Sequence, residues 1–196
     1  MPVDLILASG SRYRRELLGR LRVPFRVEAA DLDESPQNGE APSQLVTRLA
    51  RAKAEVVATR NPASWVIGAD QVAVIDGRVL GKPGDAARSI AQLRAASGRV
   101  VTFFTAACVV RHHPPQLAQH LDETRAHFRQ LSEPEIARYV ELEQPFDCAG
   151  GFKSEGLGIA LMERIESTDP TALVGLPLMR TCALLRAVGV DPLGMP

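Results

Sequence analysis

Residues 3–21 read Val-Asp-Leu-Ile-Leu-Ala-Ser-Gly-Ser-Arg-Tyr-Arg-Arg-Glu-Leu-Leu-Gly-Arg-Leu, and this stretch indicates the class of fold. The apolar run 3–8 predicts a buried strand, and the leucines near the end of the stretch recur at helical spacing. Between them lies the small-residue segment Ser9-Gly10-Ser11, which is typical of a loop that enters a helix. The chain therefore opens with a strand, a short loop and a helix.

The rest of the chain continues to interleave strand and helix patterns. Apolar or alternating runs predict further strands, at residues 24–27, 65–67, 72–75, 79–80, 100–110, 117–130 and 159–165. Amphipathic runs predict helices, one capped by Ser43 and others at 85–97, 132–143 and 178–188. The polar segment 31–42 predicts a loop or lid, and Asp76-Gly77 predicts a hairpin turn. We therefore predict an α/β fold with a mixed, twisted sheet and flanking helices, in a single domain over residues 1–196.

The composition of the chain bounds the class of protein. Lys plus Arg and Asp plus Glu both number 23, so no net field favours nucleic acid or a membrane as a partner. The three cysteines are scattered and form no Cys-x-x-Cys pair, which favours a reducing compartment. The start of the chain has no basic segment before its short apolar run, and no apolar stretch approaches the roughly 20 residues that span a bilayer. We expect a cytoplasmic protein.

Three arginines, Arg12, Arg14 and Arg15, fall in the first turn of the first predicted helix. The helix dipole is positive there, so cations are disfavoured unless an anion compensates. Together with the hydroxyls of Ser9 and Ser11, these guanidinium groups would make a phosphate cradle. A solvated basic turn is the alternative. The glycine motifs of P-loop and Rossmann proteins are both absent.

Three further charged residues are candidates for chemistry. Lys53 lies on the apolar stripe of its helix, so its ammonium either turns inward or reaches out to solvent. Asp70 lies in the apolar run 66–72, where an unpaired carboxylate would be costly to bury. It should be metal-bound, catalytic or held in a structural salt bridge. Lys82, in Gly-Lys-Pro, is a weaker candidate anion ligand.

The segment 31–34 carries three carboxylates, Asp31, Asp33 and Glu34. Oxygen ligands of this kind suit Mg²⁺ or Mn²⁺, which often share their coordination with substrate phosphates. A solvated acidic loop is the commoner use of such a run. Spacing alone does not rank the three residues as metal ligands.

Several motifs occur in order along the chain: Leu-Ala-Ser-Gly-Ser-Arg-Tyr-Arg-Arg-Glu-Leu-Leu, Asp-Leu-Asp-Glu, Ala-Lys-Ala, Gly-Ala-Asp-Gln-Val, Gly-Lys-Pro-Gly, Ala-Gly-Gly-Phe-Lys-Ser-Glu-Gly and Val-Gly-Leu-Pro. In this combination the chain resembles the Maf family of nucleotide pyrophosphatases, nearly end to end. The resemblance implies two lobes around a deep cleft, similar to inosine triphosphate pyrophosphatases. It also implies hydrolysis of a nucleoside triphosphate between its α and β phosphates, and by analogy a homodimer.

The resemblance also implies roles for single residues. Asp70 matches the general base of the family, and Glu34 matches a carboxylate that binds a divalent cation, Mg²⁺ or Mn²⁺, with Asp70. The positions that match phosphate-binding residues are Ser9, Arg14, Arg15, Lys53 and Lys82. Water would attack directly, without a covalent intermediate.

Tyr13, Gln71 and Glu155 occupy the positions that the family associates with base choice. Their combination looks like the subfamily that hydrolyses 7-methyl-GTP to 7-methyl-GMP and diphosphate, which removes modified nucleotides. Relatives acting on dTTP and UTP commonly carry Arg, Thr and Gln there. N7 methylation makes guanine cationic, so an aromatic ring at Tyr13 and a carboxylate at Glu155 suit this base. The alternatives are hydrolysis of dTTP, UTP or another noncanonical nucleotide, and nucleotide-responsive inhibition of septum formation by binding.

Overall fold

The computed structural model describes residues 3–194. Within these residues, five α-helices and seven strands confirm the predicted mixed α/β class. The strands are β1 (Leu5–Leu7), β2 (Arg26–Val27), β3 (Trp65–Ile75), β4 (Arg78–Leu80), β5 (Val100–Arg111), β6 (Gln116–Phe128) and β7 (Met162–Glu166). The helices are α1 (Arg12–Gly19), α2 (Pro42–Arg60), α3 (Ala86–Ala96), α4 (Glu133–Glu143) and α5 (Leu178–Ala187). The strands form a mixed sheet in the order β2-β1-β3-β5-β6-β7, with β4 paired to β3.

The chain divides into two compact units. The first combines Met1–Asp70, Thr105–Asp122 and Asp169–Pro196, and the second combines Gln71–Phe104 and Glu123–Thr168. The chain passes from one unit to the other within β3, β5 and β6. Two units agree with the two lobes expected from the resemblance, whereas the deep cleft stays a prediction.

The first unit is built on parallel strands. β1 pairs in parallel with β2, at Leu7↔Val27, and with β3, at Leu5↔Trp65. Parallel neighbours need crossover connections, and here α1 and α2 supply them. All three residues of β1 are buried, as expected for a strand covered on both faces. The end of β1 therefore delivers Ser9 to the start of α1.

Helix α2 lies unusually close to β3, and Gly68 is the reason. A Cβ at Gly68 would lie 2.1 Å from the carbonyl oxygen of Ala50 and 2.8 Å from Cβ of Ala54. Any side chain at this position would force the helix away from the strand. The glycine thus brings the middle of α2 against the part of β3 that leads to Asp70.

The second unit contains the predicted hairpin and a well-capped helix. β3 pairs antiparallel with β4 around Asp76-Gly77, whose φ angles of 48° and 75° suit a tight hairpin turn. Helix α4 begins with the predicted capping box, in which Ser132 N donates to Glu135 Oε2 at 2.8 Å. Phe152 packs against Phe128 with ring centroids 5.5 Å apart, in the core of this unit.

Three local predictions were wrong. Ser43 is not the cap of α2, because the helix begins at Pro42, whose missing N–H and fixed φ suit the first helical position. The runs 65–67 and 72–75 belong to one continuous strand, β3, so Asp70 lies inside it. The predicted strand 159–165 is confirmed from Met162 onwards, as β7, but its first part was wrong. Residues Leu157–Leu161 form a 3₁₀ helix, and the backbone comes so close at Gly158 that a Cβ there would lie 2.4 Å from the carbonyl oxygen of Lys153.

Candidate active site

Asp70 is a buried carboxylate paired with a buried ammonium. It lies on β3 with 7% of its surface exposed, and Lys53 lies on α2 with 8% exposed. Lys53 Nζ donates to Asp70 Oδ1 at 2.7 Å. The inward direction of Lys53 is therefore correct, and its charge offsets that of a carboxylate that would otherwise be costly to bury.

The same ammonium also contacts the acidic loop. Lys53 Nζ lies 2.7 Å from Glu34 Oε1, and the Glu34 side chain remains 57% exposed. Asp31 and Asp33 are exposed as well, and Asp33 accepts a hydrogen bond from the backbone N of Ser35 at 2.9 Å. Of the three candidate carboxylates, Glu34 is thus the one that contacts Lys53, the residue that also contacts Asp70.

Arg48 holds the acidic loop against α2, a role that the sequence did not reveal. Its Nε and Nη2 donate to the two carboxylate oxygens of Glu40 at 2.6 and 2.8 Å, and Nη2 also donates to the carbonyl oxygen of Ser35 at 3.1 Å. The hydrogen bonds from Arg48, with one from the backbone of Gln37, lower the pKa of Glu40 to about 2. This bidentate contact fixes both ends of the segment that follows Glu34.

Three of the residues predicted to form a phosphate cradle lie together at the start of α1. Ser11 caps the helix, and its Oγ accepts from the backbone N of Arg14 at 3.4 Å. Ser9 is buried, and its Oγ accepts from the backbone N of Ser11 at 3.2 Å and from Arg14 Nη1 at 3.4 Å. Burial lowers the pKa of Arg14, while the carboxylates of Asp70 and Glu34 act in the opposite direction. The structure therefore brings together Ser9, Ser11 and Arg14.

A carbonyl oxygen far along the chain orients Arg14. Arg14 Nε donates to the carbonyl oxygen of Gly175 at 2.9 Å. The loop that carries Gly175 is tied to the start of α5, because Asp169 Oδ2 accepts from the backbone N of Arg180 and Thr171 Oγ1 accepts from the backbone N of Leu178. Val-Gly-Leu-Pro was visible as a motif in the sequence, but its contact with Arg14 was not.

The neighbours of Arg14 on α1 are more open. Arg15 is exposed, and its backbone N donates to the carbonyl oxygen of Ser11 at 3.1 Å. The Tyr13 ring carries the guanidinium of Arg12 on one face, with Arg12 Cζ 4.7 Å from the ring centroid, and the Tyr13 hydroxyl accepts from Arg12 Nη2.

The other three candidates belong to the second unit. Gln71 is half-buried on β3, directly after Asp70 in the chain. Lys82 is exposed just after β4. Glu155 is exposed in the glycine-rich segment after α4, and its Oε2 accepts from Ser154 Oγ at 3.4 Å. Their participation in one site with Asp70 stays a prediction.

The two carboxylates that contact Lys53 suit a divalent cation. Glu34 Oε1 and Asp70 Oδ1 each lie 2.7 Å from Lys53 Nζ, so the two oxygens are no more than twice that distance apart. Mg²⁺ is usually bound by one or two carboxylates together with substrate phosphates and water. Among residues 3–194, no group of three or more His, Cys, Asp or Glu side chains is arranged to hold a metal ion. In the same part of the chain, no helix is both long enough and apolar enough to cross a bilayer.

The chain is similar to known proteins over nearly its whole length. A protein of Albidiferax ferrireducens named 7-methyl-GTP pyrophosphatase is 54% identical over 97% of this chain and 96% of its own. A protein of Pseudomonas aeruginosa with the same name is 51% identical over 96% of this chain and 98% of its own. A solved structure of the Staphylococcus aureus Ham1 protein aligns with a TM-score of 0.47 and 14% identity, over 64% of this chain and 71% of that chain. The family model described as Maf-like protein matches residues 4–188. The chain therefore belongs to the Maf family.

Proposed function

We propose that this chain is a nucleoside triphosphate pyrophosphatase that hydrolyses 7-methyl-GTP to 7-methyl-GMP and diphosphate. The observation that carries the chemistry is the buried Asp70 carboxylate, which accepts a hydrogen bond from Lys53 Nζ at 2.7 Å. The negative charge of Asp70 also acts to raise the pKa of Arg14, a residue of the proposed phosphate cradle. The full-length similarity to proteins named 7-methyl-GTP pyrophosphatase supports the substrate.

Asp70 supplies the general base. Its carboxylate accepts a proton from water as the water oxygen bonds to phosphorus, and the bond to the bridging oxygen between the α and β phosphates breaks. Diphosphate leaves with the electron pair of that bond, so no protein nucleophile is needed. Lys53 holds Asp70 Oδ1 in place, so the carboxylate is already oriented before substrate binds.

The phosphate groups are stabilised by the cationic groups of the site. Arg14, fixed by Gly175 and Ser9, offers guanidinium donors at the start of α1, where the helix dipole also favours an anion. We propose that Arg15 and Lys82 add positive charge to the same triphosphate. A Mg²⁺ or Mn²⁺ ion held by Glu34 and Asp70 would neutralise part of the charge on the phosphates.

Base choice is proposed to rest on Tyr13, Gln71 and Glu155. A cationic 7-methylguanine gains from stacking on the Tyr13 ring and from the negative charge of Glu155. The same carboxylate can accept hydrogen bonds from guanine N1–H and the exocyclic amine, and a site with such polar groups rejects bases that leave them unpaired.

We further propose a cytoplasmic location, a small-molecule nucleotide as the binding partner and a homodimer as the assembled form. The equal numbers of basic and acidic residues support a nucleotide rather than a nucleic acid or a membrane surface as the partner.

The proposed function is tested by diphosphate release from 7-methyl-GTP, GTP, dTTP, UTP, CTP and ATP, with Mg²⁺ or Mn²⁺ present. We expect 7-methyl-GTP to be turned over in preference to the other five nucleotides. Asp70→Asn preserves an acceptor for Lys53 but removes the base, so turnover, measured at a temperature where both proteins are folded, should fall by about 10²–10⁴-fold. The thermal unfolding midpoint should fall as well, because Lys53 keeps its buried charge and loses one of its two carboxylate partners. Preferential turnover of dTTP and UTP would contradict the substrate, and full activity of Asp70→Asn would contradict the mechanism.

A further inference from the structure

Side chains of helix α4 form hydrogen bonds with the backbone of the segment that contains Glu155. Glu143, the last residue of α4, accepts from the backbone N of Leu157 at 2.7 Å, just after Glu155. Tyr139, one turn earlier, accepts from the backbone N of Lys153 at 3.0 Å through its hydroxyl, just before Glu155. The backbone is thus tied to α4 on both sides of Glu155, so this exposed side chain projects from a fixed base.

The carboxylate of Glu143 is seated closely against this segment. A Cβ at Gly156 would lie 2.5 Å from Glu143 Oε2 and 2.8 Å from its Cδ, so the missing side chain of Gly156 makes the room that the carboxylate fills. The Glu143 side chain is only 14% exposed. A charge in such a place needs a partner of opposite sign.

Lys153 is that partner. Its Nζ donates to Glu143 Oε1 at 2.5 Å, and its side chain is 22% exposed. The hydrogen bond with Glu143 raises the pKa of Lys153, and the charge of Glu155 acts in the same direction. The ammonium of Lys153 therefore lies within electrostatic range of two carboxylates, and the one that it contacts is Glu143.

We propose that Glu143 is a specificity-determining positioning residue, because it holds the Lys153 ammonium on α4 and leaves the Glu155 carboxylate available to a cationic base. Without Glu143, the carboxylate whose charge still acts on Lys153 is that of Glu155, two residues along the chain. A pair between Lys153 and Glu155 would cancel the negative charge that distinguishes a methylated, cationic guanine from guanine itself. The inference deepens the proposed function and rests on it.

The test compares kcat/KM for 7-methyl-GTP with kcat/KM for GTP in four proteins: the parent chain, Glu143→Gln, Lys153→Gln and the double variant. Gln at 143 keeps an acceptor for Leu157 N but loses the charge. We expect the 7-methyl-GTP to GTP ratio to fall about fivefold in Glu143→Gln, the size expected when one partly exposed ion pair forms. Lys153→Gln and the double variant should keep the parent ratio or exceed it, because no ammonium remains to pair with Glu155.

The double variant separates charge from structure. Recovery of the ratio in the double variant supports the inference, because a displaced backbone would not be repaired by a second substitution. A ratio that is unchanged in Glu143→Gln, that falls in Lys153→Gln or that stays low in the double variant would overturn it. Absence of any 7-methyl-GTP preference in the parent chain would instead overturn the proposed function itself. The GTP turnover of each variant reports whether the catalytic machinery is intact.

Discussion

Replacing Gly68 by alanine is expected to damage the active site through a single added methyl group. The Cβ would lie 2.1 Å from the Ala50 carbonyl oxygen, and this oxygen belongs to the backbone of α2. Ordinary contacts of this kind are about 3.5 Å, so α2 must retreat by roughly 1 Å or more. Lys53 lies one turn beyond Ala50 and moves with the helix, and its 2.7 Å hydrogen bond to Asp70 would then exceed the normal range of about 2.7–3.2 Å.

Two opposing effects set the loss of stability. Overpacking of this kind costs about 1–3 kcal/mol. The alanine also lowers the conformational entropy of the unfolded chain, which stabilises the folded state by about 0.4–1 kcal/mol. We therefore expect the free energy of unfolding to fall by about 1–2 kcal/mol. A displacement of about 1 Å at a catalytic group can cost on the order of 10²-fold in rate, so activity should fall by more than the loss of stability explains.

The assay combines urea unfolding with diphosphate release at a temperature where every variant is folded. Gly19→Ala is the matched control, because a Cβ at Gly19, on the last turn of α1, would meet no heavy atom of the described chain within 4 Å. This control should keep the parent activity, and its stability should rise by about 0.4–1 kcal/mol, because the helical backbone at Gly19 accepts an alanine and only the effect on the unfolded chain remains. If Gly68→Ala behaved like Gly19→Ala in both measurements, the close packing of α2 on β3 would not be what sets the contact between Lys53 and Asp70.

Arg48→Ala should raise the Mg²⁺ concentration needed for half-maximal activity several-fold, because the loop that carries Glu34 loses its bidentate contact with α2. Arg51→Ala removes an exposed ion pair on the same helix and should leave this concentration unchanged. If the two variants behaved alike, the contacts of Arg48 with Glu40 and Ser35, here called the Arg48 clamp, would not be what positions Glu34. The clamp also predicts a pH effect, because its hydrogen bonds lower the pKa of Glu40 from 4.5 to about 2. The resulting stability is present above pH 4.5 and is lost as the pH falls towards 2, so acid unfolding of Arg48→Ala should depend less on pH in this window than that of the parent chain.

The features that the sequence predicted are those with a local signal. Helix α4 was predicted from its capping box, and the hairpin from Asp76-Gly77, because both depend on residues within a few positions of one another. Asp70 was predicted to be paired, metal-bound or catalytic, because an unpaired carboxylate in an apolar run is costly to bury. The place of Lys53 on the apolar stripe of α2 left two directions open, and its hydrogen bond with Asp70 shows that the inward one is adopted.

The features that escaped prediction depend on distant partners or on backbone atoms. Arg48 forms an ion pair with Glu40, which lies eight residues earlier in the chain. Nothing in the sequence distinguishes either residue from an ordinary charged surface residue. The carbonyl oxygen of Gly175 has no side-chain signature at all. The continuity of β3 was missed because Gly68 and Asp70 interrupt its apolar pattern, although β3 lies between β1 and β5 in the sheet and stays extended throughout.

The contact between Arg14 and Gly175 joins residues that are 161 positions apart. A ribosome adds about 5–20 residues per second, so the Arg14 side chain is synthesised many seconds before the carbonyl that orients it. The unit that contains both is assembled from three separated segments, the last of which begins at Asp169. Earlier segments can collapse during synthesis, but Arg14 gains its final orientation only when the last segment docks. The enzyme is therefore expected to stay inactive until the segment that begins at Asp169 has been synthesised and has docked.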